Sequence, residues 1–377
     1  MVLLVLTSCA GAGLMGCGNA TSSGDPEARA GTAGSSQLGD GGSSAAGDRS
    51  TGGGMANLGG SGPQTLADSQ NWPVSIAVDG SDVYWANDGD AAVSKVPIGG
   101  GKVTILSDEL GSRGKQIALD ATHVYWTTYS AGAVLGTLSK VAKGGGSPSV
   151  LASEEEHVFA GVVVDEAFAY WPNNVSGGAQ TQLERVPVDG GTPTVLATQN
   201  PLTDLIAVDA TDVYWATRNL GDVENCIMKV SKQGGKQMRV ACYPNEPFGL
   251  ALDAEYVYWI ADNSSGSNND FHPPDAVLKA PKNGGPPTIL AMAQAHPRAI
   301  AVDDTSVFWS NYNTESRDGS LLKVSKNGGT PVVLASAQAA YIMSIAVDET
   351  SLYWANTASP VAPGAPFSGS IMKLTPK

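Results

Sequence analysis

Side chains able to do chemistry are scarce in this chain and widely spread. The histidines are His123, His157, His272 and His296, and the cysteines are Cys9, Cys17, Cys226 and Cys242. They form no CxxC pair and no His/Cys cluster at metal-ligand spacing. In the segments that lead into each repeat, Asp204 is the one carboxylate of the inner part, with Glu156 and Glu246 further out, whereas a hard cation wants several oxygen ligands. Asp88-Gly89-Asp90 falls far short of a calcium loop and reads as a turn. The sequence therefore assigns no catalytic residue, no metal site and no cofactor. What it does offer is a recognition-type set: Trp72, Arg113, Lys115, His157, Phe159, Asp204, Phe248, His296, Arg298 and Tyr341. Aromatics and arginines in a mixed ring suit contact with a protein, peptide or glycan.

These residues precede copies of one motif. IAVDATDVYWAT (Ile206 to Thr217) has six relatives, among them IAVDGSDVYWAN and LALDAEYVYWIA. The motif aspartates are Asp79, Asp120, Asp165, Asp209, Asp253, Asp303 and Asp348, each six residues before a tryptophan. Repeats of about 40–45 residues have the length of a four-stranded propeller blade. Within each, an I-A-V-D strand and a V-Y-W strand are followed by a strand with a basic residue, a Gly-Gly hairpin and a PTVLA-type strand. The apolar runs lack clean alternation, as in sheets covered on both faces. The expected fold is all-β, a seven-bladed propeller over residues 63–377. Alanine on six first strands suits the narrow axis, and Tyr-Trp suits the wider gaps outside it. The basic series Lys95, Lys140, Arg185, Lys229, Lys279, Lys323 and Lys373 is read as structural, stems packed on the blade and heads on carboxylates or carbonyls. The last repeat stops after its third strand at KLTPK, and QTLA (Gln64 to Ala67) supplies the missing fourth. That pairing closes the ring and removes an open edge.

Repeat five, EPFGLALDAEYVYW followed by VLKAPKNGG, resembles the YWTD propellers of the LDL-receptor group and is similar to NHL-type and lactonase-like propellers. The final Asp of YWTD is replaced by Asn87, Thr128, Asn173, Thr217, Ala261, Asn311 and Asn356. The receptor propellers have six blades, so their ligand geometry does not carry over. The lactonase resemblance implies an alternative, a metal-dependent lactonase- or lyase-like enzyme with a divalent ion in the channel. A purely structural envelope component is a third reading. The segments just before each I-A-V-D and just after each Tyr-Trp gather on one face, and variable loops on a rigid frame are where binding resides.

Cys226 and Cys242 flank Gly234-Gly235 almost symmetrically, which places them opposite one another for a disulfide. At the N-terminus, MVLLVLTSCAGAGLMGC is an apolar run ending in cysteine. It reads as a signal and lipobox segment over 1–17, lipidated at Cys17 or alternatively at Cys9. Residues 18–62 are Gly, Ser, Ala and Thr with scattered charges, too poor in apolar surface to fold, and read as a tether. The expected protein is exported to a bacterial cell envelope, touches membrane only through its lipid, and is a monomer. A formal charge of −14 excludes a nucleic-acid partner, because no basic stripe neutralises phosphates.

Overall fold

The computed structural model describes residues 6–7, 62–108, 114–128, 136–154, 161–175, 180–199, 202–217, 225–262, 274–338, 341–358 and 368–377. The proposed lipobox cysteines and the 18–61 part of the tether lie outside them. Among the described residues there is no helix. Seven antiparallel four-stranded sheets form seven blades. The innermost strands, in order, are Pro73–Val78, Gly114–Leu119, Val163–Val164, Leu202–Val208, Glu246–Leu252, Pro297–Val302 and Tyr341–Val347. Each contacts its neighbours around the ring, the last meeting the first. In blade seven the outermost strand is the N-terminal Gln64–Gln70, paired antiparallel with Ser368–Leu374 through Gln64↔Lys373, Thr65↔Met372 and Ala67↔Ile371. The expected closure is present. A two-residue strand, Leu6–Thr7, also pairs with Leu250 and Gly249 on the inner edge of blade five.

Alternation along the second strand explains the Tyr-Trp pair. The two side chains point to opposite faces of the blade, so each tryptophan meets the tyrosine face of the preceding blade. Trp126 packs on Ala77 and Tyr84, Trp215 on Tyr170 and Leu183, and Trp309 on Ala251 and Tyr258. All seven motif tryptophans are buried. The small alanines of the innermost strands are buried as well, and Val163 replaces them where that strand is two residues long. The tryptophans are wedges between blades.

The motif aspartate does more than start a turn. In every repeat its Oδ1 accepts the amides two and three residues on, as Asp209 does from Thr211 at 2.9 Å and Asp212 at 2.8 Å. Its Oδ2 accepts the motif tyrosine hydroxyl in six repeats, as in Tyr258 to Asp253 at 2.7 Å; blade six has Phe308 instead. A lysine of the next blade completes the cluster at five interfaces: Lys143–Asp79, Lys232–Asp165, Lys282–Asp209, Lys326–Asp253 and Lys377–Asp303, at 2.7–2.8 Å. At the other two interfaces Val188 and Ile98 stand at the lysine's place. The third-strand basic series is structural as expected. Lys140, Arg185, Lys279, Lys323 and Lys373 donate to carbonyls of the following blade, and Lys95 and Lys229 turn to Asp82 and Asp212 of their own.

Burial alone would raise these aspartates. The lysines, tyrosines and turn amides more than offset it, holding all seven carboxyls below the ordinary range, Asp209 at about 2. Burial and the adjacent carboxylate push the six partner tyrosines well above the ordinary phenol range. A carboxyl more acidic in the fold than in the open chain stabilises above the open-chain value near 4, and ceases to as pH falls through its folded value. A phenol less acidic in the fold stabilises below about 10 and loses that as pH rises further. The melting temperature is therefore expected to stay level from about pH 5 to 9, to fall from about 4 towards 2, and to fall again above about 10. Melts across pH check this, and an acid limb that begins above about pH 5 would contradict it.

The cysteine expectation holds. Cys226 and Cys242 are register partners on the third and fourth strands of blade four and form a disulfide. The intervening Gly234 and Gly235 both take positive φ, 80° and 113°, which the hairpin requires.

Candidate functional site at the channel mouth

The segments that enter each blade and those joining its second and third strands share one face. In blade one Asp88 donates its amide to the Trp72 carbonyl and Gly89 to that of Asn71, at 2.9 and 3.0 Å. Asp88-Gly89-Asp90 is thus a turn docked on the entering segment, as expected. Blade six repeats the arrangement, Tyr312 donating its amide to the carbonyls of Ala295 and His296. The entering sequences correspond: Ser-Gln-Asn-Trp-Pro (69–73) and Ala-Gln-Ala-His-Pro (293–297). Gln70 Oε1 accepts the Trp85 indole at 2.9 Å, and Gln294 Oε1 accepts that of Trp309 at 3.0 Å. Trp72 and His296 occupy equivalent positions with φ of 58° and 43°. Non-glycine residues rarely take that conformation, and it persists where surrounding bonds over-determine it, typically at functional sites.

Around His296 the mouth gathers side chains from blades five, six and seven. Gly249 permits it: a Cβ there would lie 2.8 Å from Ile300 Cγ2 and 3.4 Å from the Arg298 carbonyl. With the backbones that close, the Arg298 guanidinium lies 4.5 Å from the centre of the buried Phe248 ring. Its Nη1 stands 3.5 Å from Oδ2 of Asp262, which is wholly buried. The other oxygen, Oδ1, faces His296 Nδ1 at 3.6 Å, and Asp275 Oδ2 lies 4.0 Å from the same nitrogen. Beside them the rings of Tyr312 and Tyr341 stack at 4.3 Å and 20°. A hydrogen bond with Tyr341, burial and the neighbouring charge raise the Tyr312 hydroxyl, against the pull of Arg317 and Arg298. The cluster combines two aromatic platforms, one guanidinium, two carboxylates and an imidazole. It can stack on planar or sugar rings, accept from donors and pair with an anion.

No protein-family model and no curated protein matches this chain. Solved structures do resemble it. Virginiamycin B lyase from Staphylococcus aureus aligns with a TM-score of 0.60 at 13% identity, over 82% of this chain and 97% of that one. The computationally designed Ika8 protein aligns at 0.50 and 11%, over 81% and 98%. A chain of a nidogen/laminin complex aligns at 0.39 and 15%, over 68% and 76%. At such identities the lyase likeness establishes the propeller fold and nothing about activity.

Of the recognition set read from the sequence, the structure brings Phe248, His296, Arg298 and Tyr341 to one part of the mouth. Trp72 lies on the same face in blade one, where its ring packs against the core between blades one and two. Lys115 and Asp204 fall on innermost strands. Their side chains, and the whole of Arg113, His157 and Phe159, lie outside the described residues. Sequence reasoning passed over Asp262, Asp275 and Tyr312. Asp262 and Tyr312 each stand three residues after a motif tryptophan, in the segments where the repeats differ. That position was the available signal.

Proposed function

We propose that this propeller is an exported, lipid-anchored binding module of YWTD-like repeats that recognises a protein, peptide or glycan through its channel mouth. The observation that carries the reading is the gathering of Phe248–Arg298 and Tyr312–Tyr341 at one part of a face whose opposite side is committed to structural Asp–Tyr–Lys clusters. Arginine and tyrosine seated on a rigid frame are the residue types that dominate binding energy at interfaces. The apolar 1–17 segment and the Gly/Ser-rich run after it support export and anchoring; in this reading the Leu6–Thr7 pairing on blade five belongs to the chain before that segment is removed.

The test is retention of a partner from envelope extract by the immobilised chain, against an Arg298→Ala, Tyr341→Ala double variant. The expected result is a specific partner whose affinity falls at least about tenfold in the variant, in a chain that still melts cooperatively. A partner held equally by both forms would place recognition elsewhere, and no partner at all would favour a purely structural role.

A further inference from the structure

We propose that Asp262, Asp275 and His296 form a binding site for one divalent transition-metal ion of the Zn2+ type. The three donor atoms lie within 4.8 Å of one another. The imidazole Nδ1 stands 3.6 Å from one carboxylate oxygen and 4.0 Å from the other, beyond the roughly 2.7–3.2 Å of a hydrogen bond to nitrogen. Donors held about 2.0–2.2 Å from a tetrahedral ion stand roughly 3.4 Å apart, which is close to the spacing found. That nitrogen is itself buried and makes no hydrogen bond to any described residue, although the rest of the His296 side chain is about a third exposed, at 35%.

The surrounding bonds aim the donors. Arg298 stands 3.5 Å from Asp262 Oδ2 while Oδ1 faces the imidazole, the place of a positioning partner that orients a ligand. The Tyr312 amide holds the His296 carbonyl at 3.2 Å, fixing the φ of 43° that directs the ring. The ligands come from the end of one second strand, Tyr256–Asp262, the residue just before the next strand, Asp275, and the segment entering blade six. The site therefore lies off the axis, between two blades. One imidazole and two carboxylates suit Zn2+ better than Ca2+, which wants six to eight oxygens. Three protein donors leave a fourth position for water or a ligand oxygen, beside the Phe248–Arg298 platform.

The inference stands apart from the binding reading above, because it is tested on the chain alone. Tag-free full-length protein is dialysed against ZnCl2 and against CaCl2, and CoCl2 is added separately for its visible absorption. The expected result is one Zn2+ per chain, intense tetrahedral Co2+ absorption, and no Ca2+ at the same concentration. Asp275→Asn and His296→Ala should each weaken Zn2+ binding by more than about tenfold. Metal-free melts of both variants should match the parent, since both side chains are at the mouth; Asp262 is not substituted because its burial makes folding the readout. Absence of stoichiometric Zn2+, or equal Zn2+ affinity in both variants and the parent, overturns the proposal.

Discussion

Removing residues 61–68 is expected to lower the melting temperature of the entire ring by at least about 5 °C, although the deleted segment makes up a small part of one blade. The strand Gln64–Gln70 is the outer edge of blade seven, and Leu66 and Ala67 are buried in the cluster that holds Trp85, Ile76 and Tyr353. Loss of that burial and of the ladder to Ser368–Leu374 costs on the order of 5 kcal/mol, which is comparable with the whole stability of many domains. For a ring of this size that corresponds to roughly 7–8 °C. A peptide spanning residues 62–72, added to the truncated chain, should restore much of the loss by supplying the strand. An unchanged melt after deletion would sink the closure.

Replacing Trp309 by Ala is expected to cost about 3–5 kcal/mol. The ring is wholly buried between blades five and six, against Ala251, Tyr258 and Ile260. Those neighbours belong to a paired sheet and cannot collapse into the space left. The substitution also strips Gln294 Oε1 of its indole donor at 3.0 Å, leaving Asn311 as the remaining partner there. The segment that carries His296 should loosen with it. Denaturant melts give the stability change, and Trp309→Phe, which keeps most of the apolar volume, should cost clearly less. Equal costs for Ala and Phe would mean that the indole hydrogen bond, and not the wedge, holds the interface.

The repeat was legible because each part of it answers a local demand. The aspartate caps a turn, the glycine pair takes positive φ, and the Ala/Tyr-Trp gradient follows a gap that widens from the axis. The disulfide was legible because register follows from a hairpin centre. The Asp–Tyr–Lys cluster was not, since Lys282 lies 73 residues from Asp209 and only the packing of one blade on the next joins them. The mouth was half legible for the same reason. Phe248, Arg298, His296 and Tyr341 stood out as variable residues ahead of the motif. Asp262 and Asp275 gain meaning only when blade six brings His296 over the end of blade five.

Closure by the N-terminal strand also sets an order of events in folding. Thr65 reaches Met372, 307 residues away in sequence, so the last contact of the ring awaits the seventh blade. Blades one to six can pair locally as they emerge, each from its own hairpins. Until the end arrives, the face of blade one around Trp85 has no blade seven to cover it, and Gln64–Gln70 has no sheet to join. Contacts so distant slow folding through the entropy of bringing the ends together. The nascent protein thus passes through an open arc with two unsatisfied ends, complementary to one another and equally to those of a second copy. Its hazard is therefore pairing between chains, and that hazard lasts until its own Ser368–Leu374 strand is available to Gln64–Gln70.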